Sequence, residues 1–428
     1  MVGSLHRRAA LLMASSNILR IFRDSASVAA TRLALIGLSF LSSIIVARAL
    51  SLDERGRFGL LVAVGSLAVQ FCNLGLPIAN TYLASRHPDL VPSLVANTTR
   101  SFLLLAGLMA LLCTAAIHLI HAWQSLWGLG VAMVCFLAIA SLAQMLTQNL
   151  LMGQLHFAVS NFVELMARVG AVFGMVALWL LHDTSSDAFA FVAAIFICAA
   201  TLWGLRVGEL HPGWRGFDQA LLKKQLQVGW RAYAACLASF VLGRLPLYAV
   251  ESHGGLKGLA FFTQAMVVTD TMLVVPFALG TVLFPNLASM RESGARIRST
   301  LRLAAITAGL MLFAVIGAIW LGPVVLPLVY GKAYAASMPV LLAMLPGAFA
   351  LGVGSVMQNA LSANGYPLIS ILSPLAGVVA TTIALYFTDT VIGCGWAYSA
   401  GAAVMFCCSS LGWWFHRCDW VAIEPRTT

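Results

Sequence analysis

The chain has 428 residues, of which 61% are hydrophobic and only 9% charged, with a formal net charge of +10 and a mean hydropathy of +0.92. Soluble domains are about 25% charged, so this balance excludes a soluble globular protein and specifies a multi-span membrane protein. A hydrocarbon core of roughly 30 Å takes about 20 apolar residues per helix, and the ten-residue alternation of a β-barrel is missing, so the fold class is all-α.

In chain order, residues 1–26 place His6, Arg7 and Arg8 ahead of a short apolar run, as a signal peptide does. The run is too short and a second basic pair, Arg20 and Arg23, follows it, so the segment reads as a cytoplasmic N-terminal tail resting on the membrane surface. Twelve transmembrane helices follow, at 27–50, 58–84, 96–120, 124–150, 160–181, 188–206, 228–249, 258–288, 300–322, 337–361, 367–388 and 391–416. They divide into an N-lobe of six helices (27–206), a polar, basic cytoplasmic linker (207–227) and a C-lobe of six (228–416), with a tail at 417–428. No connection is long enough for a soluble domain, which removes receptors, sensor kinases and polymerases that need a large outer domain.

Lysine and arginine set the orientation. With the N-terminus inside, seventeen fall on cytoplasmic segments and five, Arg48, Arg55, Arg57, Lys257 and Lys332, on outer ones. Both termini are therefore expected in the cytoplasm. The outer exceptions crowd into ARALSLDERGRFGLL (47–61), where Asp53 and Glu54 offset them and Gly56 and Gly59 permit a tight corner. These charges read as structural.

The same corner reveals an internal repeat. An offset of 199 carries Gly56 onto Gly255, Gly59 onto Gly258, Pro77 onto Pro276 and Arg32 onto Arg231. Arg100 and Arg302 each stand six positions before an AGLM, and QNLL (148–151) is matched by QNAL (358–361). Each half has an even number of spans, so the repeat is parallel, related by an axis along the membrane normal. This is a transporter architecture with the substrate path between the halves. Pro77 and Pro276 interrupt equivalent helices and are hinge candidates, or else packing kinks.

Ionisable groups at membrane depth mark sites. Arg168 falls near the midplane, and Arg244 and Asp270 within its middle region. Glu164 and Arg168 share a helix face at i,i+4, either as a self-neutralised pair or as an anion-attracting arginine with an acid that orients it or titrates. Arg244 has no acid at helical spacing on its own helix; Asp270 either pairs with it or binds H⁺ or Na⁺ as a coupling group. Arg32 and Arg231 lie near the inner surface, as headgroup anchors or as two cations at the cytoplasmic mouth. The balance suits an anionic substrate better than a cationic drug. The nine cysteines show no CxxC, and His118 with His121 has no third ligand, so no metal site is expected. Neither Walker A, HExxH nor GxSxG occurs, so an enzyme is not expected.

The stretch 47–84, with Ala47-Arg48-Ala49-Leu50, Gly59 and Asn73-Leu74-Gly75-Leu76, resembles the first hairpin of polysaccharide-type flippases of the multidrug/oligosaccharidyl-lipid/polysaccharide exporter superfamily. GGLKGLAFFTQAM (254–266) and PLVYGKAYAASMP (327–339), with Gly331 and Tyr334, resemble the second-half motifs of the same proteins. The resemblance implies two six-helix lobes in a V around a cationic cavity. It also implies translocation of undecaprenyl-diphosphate-linked oligosaccharides across the bacterial inner membrane by alternating access, for O-antigen, capsule or exopolysaccharide assembly. Arg32, Arg168, Arg231 and Arg244 would receive the diphosphate or acidic sugars. The implied partners are the lipid-linked oligosaccharide, membrane lipids, and polymerase and chain-length proteins of the pathway, with no nucleic acid. No cofactor is implied beyond H⁺ or Na⁺ coupling. Two departures stand out: Arg244 replaces an Asp common in helix seven, and there is no room for the fourteen spans of peptidoglycan-precursor flippases. The alternative function is a cation-coupled multidrug exporter of the same superfamily.

Overall fold

The computed structural model describes residues 34–417 apart from 212, 214–215, 290–292 and 364–367. We number its α-helices in chain order: α1 Ala34–Ala49, α2 Leu52–Cys72, α3 Leu76–Arg86, α4 Val91–Leu119, α5 Leu129–Gly153, α6 Phe157–Leu180 and α7 Ser186–Val207. The second half continues with α8 Gln219–Ser289, α9 Ser293–Tyr330, α10 Met338–Ala363, α11 Ile369–Tyr386 and α12 Val391–His416. The described chain contains no strand.

Nine of these helices are long and apolar enough to cross a bilayer, and α2 with α3 forms a further span bent by 52°. The 71-residue α8 would be about 107 Å long if straight, more than three hydrocarbon thicknesses. It turns instead at Gly255, whose φ of 60° and ψ of −165° are open to glycine alone. Its arms, 219–254 and 256–289, are two crossings, and with apolar α1 the described chain has the twelve crossings expected.

The bend between α2 and α3 is built by the NLGLP sequence. Asn73 caps α2, its Oδ1 accepts from the Gly75 N–H at 2.9 Å, and Gly75 adopts φ 76°. Here the first arm of α8 approaches so closely that a Cβ on Gly75 would lie 2.8 Å from the Gly229 carbonyl oxygen. Pro77 opens α3 just after the bend. Pro276, its repeat partner, lies within α8, where Gly255 is the only residue with non-helical angles. The two hinge candidates are thus not equivalent: Pro77, in the first turn of its helix, follows a break, whereas Pro276 leaves its helix continuous.

In the first half α5 packs against α2, α3, α4, α6 and α7; in the second, α10, α11 and α12 pack on one another and on α8. The halves meet where α2 and α3 run against α8. At one end of this seam a Cβ on Gly56 would strike the backbone of Leu256, so the two repeat-related glycine corners face each other across the interface. The surface is apolar, with Phe313 and Trp320 of α9 each 78% exposed, as a lipid-facing helix requires.

α8 starts at Gln219, inside the polar stretch read as linker. The Asp218 carboxylate caps it by accepting from the N–H groups of Ala220 and Leu221 at 2.8 and 3.1 Å. Gln225 is fully buried there, donating to Asn80 Oδ1 at 2.7 Å and accepting from Asn97 at 3.1 Å. These bonds fasten the start of the second half to α3 and α4.

Candidate functional site

A cavity of about 610 Å³ lies between the halves, lined by α1, α2, α5, α6 and α7 on one side and by both arms of α8 on the other. Glu164, Arg168, Arg244 and Asp270 all line it. Sequence reasoning placed these four in three separate spans; the fold brings them to one chamber.

Arg244 Nη2 donates to Asp270 Oδ2 at 2.7 Å, and Met266 Sδ lies against the same guanidinium. The bond crosses from one arm of α8 to the other, because the turn at Gly255 sets the arms side by side. Both side chains stay partly open to the cavity, at 32% and 45% exposure, so the pair presents a polar surface of nearly cancelled charge. Arg168 is exposed on the cavity face of α6. Among the described residues no salt bridge joins it to Glu164, although helical spacing makes one available; Glu164 is engaged by other contacts.

Arg231 does not join them. It is exposed at the start of α8, its guanidinium 5.6 Å from the Trp230 ring, and it is not among the cavity-lining residues. Nine residues before the lining Phe240, about two and a half turns, put it on the opposite face of the helix, and a basic side chain beside an indole suits an interfacial anchor. Arg32 lies outside the described residues.

Arg55, read from the sequence as a structural outer charge, is instead 5% exposed and lines the cavity. The signal was helical phase: Arg55, Gly59, Val62, Ser66 and Gln70 follow i, i+4, i+7, i+11 and i+15 along α2, and all five line the cavity. Its neighbour Arg57, two positions on, points the other way. Arg57 Nε donates to the Ser125 carbonyl oxygen at 2.7 Å, and Nη1 donates to Ser186 Oγ at 2.7 Å and Asp187 Oδ2 at 2.9 Å. Glu54 accepts from the Ser186 N–H at 2.8 Å. Arg48 Nε donates to the Val329 carbonyl oxygen at 2.9 Å, tying α1 to α9 across the halves. For Arg48 and Arg57 the structural reading holds.

The cavity wall thus carries Arg55, Arg168 and Arg244 against Glu164 and Asp270. It also carries Gln144 and Gln148, whose amide nitrogens are buried without partners. Such a wall is net positive and rich in hydrogen-bond donors, suited to an anionic, hydroxyl-bearing molecule.

Comparisons with known proteins agree with this architecture. No curated protein matches the sequence. Among solved structures, a multidrug resistance MATE family transporter of the MOP superfamily in an inward-facing conformation superposes with a TM-score of 0.71 at 14% identity, covering 91% of this chain and 98% of its own. The lipid II flippase MurJ, inward closed, gives 0.69 at 12% identity, covering 91% and 87%. A MOP superfamily transporter from Pyrococcus furiosus, described by the reversed polarity of its binding pocket, gives 0.67 at 13% identity, covering 92% and 95%. At these identities the likeness establishes the fold. The family model described as polysaccharide biosynthesis protein matches residues 21–291, more than half of the sequence; the chain belongs to that family, built on the fold of the MOP superfamily of flippases and transporters.

Proposed function

We propose that the protein is a flippase that moves undecaprenyl-diphosphate-linked oligosaccharides across the bacterial inner membrane, for O-antigen, capsule or exopolysaccharide assembly. The observation that carries this reading is the net positive chamber between the halves. A diphosphate and its sugars need a wet, basic, donor-rich path, while the polyprenyl tail can remain in lipid beside it. Arg168 and the Arg244–Asp270 pair are the substrate-binding groups; Arg231, on the surface, serves the headgroup region at the cytoplasmic mouth. Movement is by alternating access between an N-lobe (27–206) and a C-lobe (228–416), with both termini cytoplasmic and the break before Pro77 as the flexible point. The contacts of Gln225 and of Arg48 bridge opposite ends of the seam and are the bonds that such rocking exchanges.

Deleting the gene should strand lipid-linked repeat units on the inner leaflet and remove surface polymer. Normal surface glycan in a null strain without a second flippase would refute the reading. A second reading, a cation-coupled multidrug exporter, draws on Glu164 and Asp270, two acids in the cavity that could carry H⁺ or Na⁺. It predicts altered resistance to cationic drugs in the null strain and unchanged surface polymer.

A further inference from the structure

Burying a guanidinium is costly unless an anion or a full set of acceptors compensates it. Arg55 has neither. It makes no ion pair with a carboxylate among the described residues. Of its five N–H groups, one reaches a protein acceptor: Nη2 donates to Gln264 Oε1 at a long 3.5 Å. Its Nε is buried without a partner. Gln264 is held on its far side, donating to Ser43 Oγ at 3.2 Å. Tyr330 and Tyr334, 2% and 3% exposed, lie within electrostatic reach of the guanidinium; the Tyr334 hydroxyl is buried without a hydrogen-bond partner, and that of Tyr330 stands beside Ser43 and Gln264. Four functional groups able to donate to an oxyanion therefore stand together, two of them, on Arg55 and Ser43, in the cavity wall.

The position is informative. Gln264, which touches Arg55, precedes Asp270, which touches Arg244, by six residues on the same arm, about 9 Å along a helix. Arg55 sits in the first turn of α2, beside the Gly255 turn of α8. In the orientation proposed above this is the outer end of the chamber, beyond the Arg244–Asp270 pair.

We propose that Arg55, with Ser43, Tyr330 and Tyr334, forms a second oxyanion site at the outer end of the cavity, which receives the phosphate groups of the substrate after they leave the Arg168 and Arg244 level. The inference rests on the flippase reading for the identity of the ligand; the site's chemistry, a desolvated guanidinium fork flanked by serine and tyrosine hydroxyls, selects a phosphate or diphosphate oxyanion. A charge left unpaired in the protein is stabilised when the substrate's own charge arrives, so the site is strong only when loaded.

The test uses the full chain in neutral phosphatidylcholine nanodiscs with inorganic pyrophosphate as probe, comparing wild type, Arg168→Ala, Arg55→Met and the double variant by calorimetry and thermal unfolding. Arg168→Ala should retain pyrophosphate binding, and adding Arg55→Met should weaken that remaining binding about tenfold or more. Arg55→Met should unfold no earlier than wild type, since it removes an unpaired charge, which shows that lost binding is not lost folding. Arg55→Lys, keeping the charge without the fork, should fall between. Absence of pyrophosphate binding by wild type, or unchanged binding in the double variant relative to Arg168→Ala, overturns the proposal. Loss of wild-type binding when phosphatidylglycerol replaces half the lipid would assign the site to bulk headgroups and overturn its assignment to substrate. The flippase reading is judged separately, by the lipid-linked glycan in the null strain.

Discussion

Arg57 and Arg55 stand one residue apart from a shared neighbour, Gly56, yet they belong to opposite regions of the molecule. Around Arg57 the charges meet partners: its guanidinium meets a carbonyl, a hydroxyl and the Asp187 carboxylate, and Glu54 takes the Ser186 N–H, with Asp187 Oδ1 alone in this group left buried without one. Around Arg55 and along the cavity wall, guanidinium, tyrosine and glutamine groups are buried with donors to spare. The first region locks α2 to α7 and to the 3₁₀ turn His121–Leu126. The second holds a polar surface ready for a molecule that is not protein. Satisfied networks rigidify, and unsatisfied ones are tolerated where function needs them.

The contrast can be broken most severely from the cavity side. Arg244→Ala leaves Asp270 at membrane depth without its 2.7 Å partner. We expect it, like Arg168→Ala, to abolish restoration of surface polymer in a null strain while the protein still reaches the membrane. Full complementation by both variants would remove the cationic chamber from the mechanism. The next largest effect lies in the clamp. Arg57→Ala strands Asp187, whose side chain is 13% exposed, and should cost about 2–4 kcal/mol in thermal or denaturant unfolding; a loss under about 0.5 kcal/mol would class the clamp with surface ion pairs. By comparison Arg55→Met should leave stability level or slightly raised while transport falls, so the two arginines separate in opposite directions in one assay.

The smallest effect concerns the loop side of the same seam. Glu251, beside the Gly255 turn, accepts from Ser125 Oγ at 2.9 Å, with its other oxygen buried and unpartnered. Glu251→Ala removes the bond to Ser125 and should lower stability by about 0.5–1.5 kcal/mol, read in thermal unfolding; an unchanged melting temperature would show that this bond does not hold the turn.

Much of this was legible in the residues. The number of spans and the duplicated corners follow from apolar runs and from Gly56, Gly59, Gly255 and Gly258. Glu164, Arg168, Arg244 and Asp270 stood out because a charge in an apolar run is conspicuous. Arg55 did not, because it sits among four other charges in a segment that looks like a solvated corner. Only its phase with Gly59, Ser66 and Gln70 on one helix face betrayed it. Arg231 could be read two ways, as a headgroup anchor or as one of two cations at the mouth; the structure places it exposed beside Trp230 and outside the chamber lining, because a repeat aligns positions in sequence and leaves each side chain to find its own surroundings. The start of α8 was hidden for a related reason, since a helix begun by Asp218 and buried through Gln225 carries no apolar signature.

By itself the sequence determined the class, the span count and the parallel repeat, because a bilayer leaves backbone polar groups no partner but the helix itself, and apolar length then counts the crossings. Tertiary structure alone decided which charges meet. The turn at Gly255 brings Arg244 to Asp270, the contact of Gly56 with Leu256 closes the seam beside Arg55, and one helical phase sends Arg57 to a clamp and Arg55 to the cavity. Those outcomes depend on the rotation and close approach of whole helices, and no local spacing encodes them.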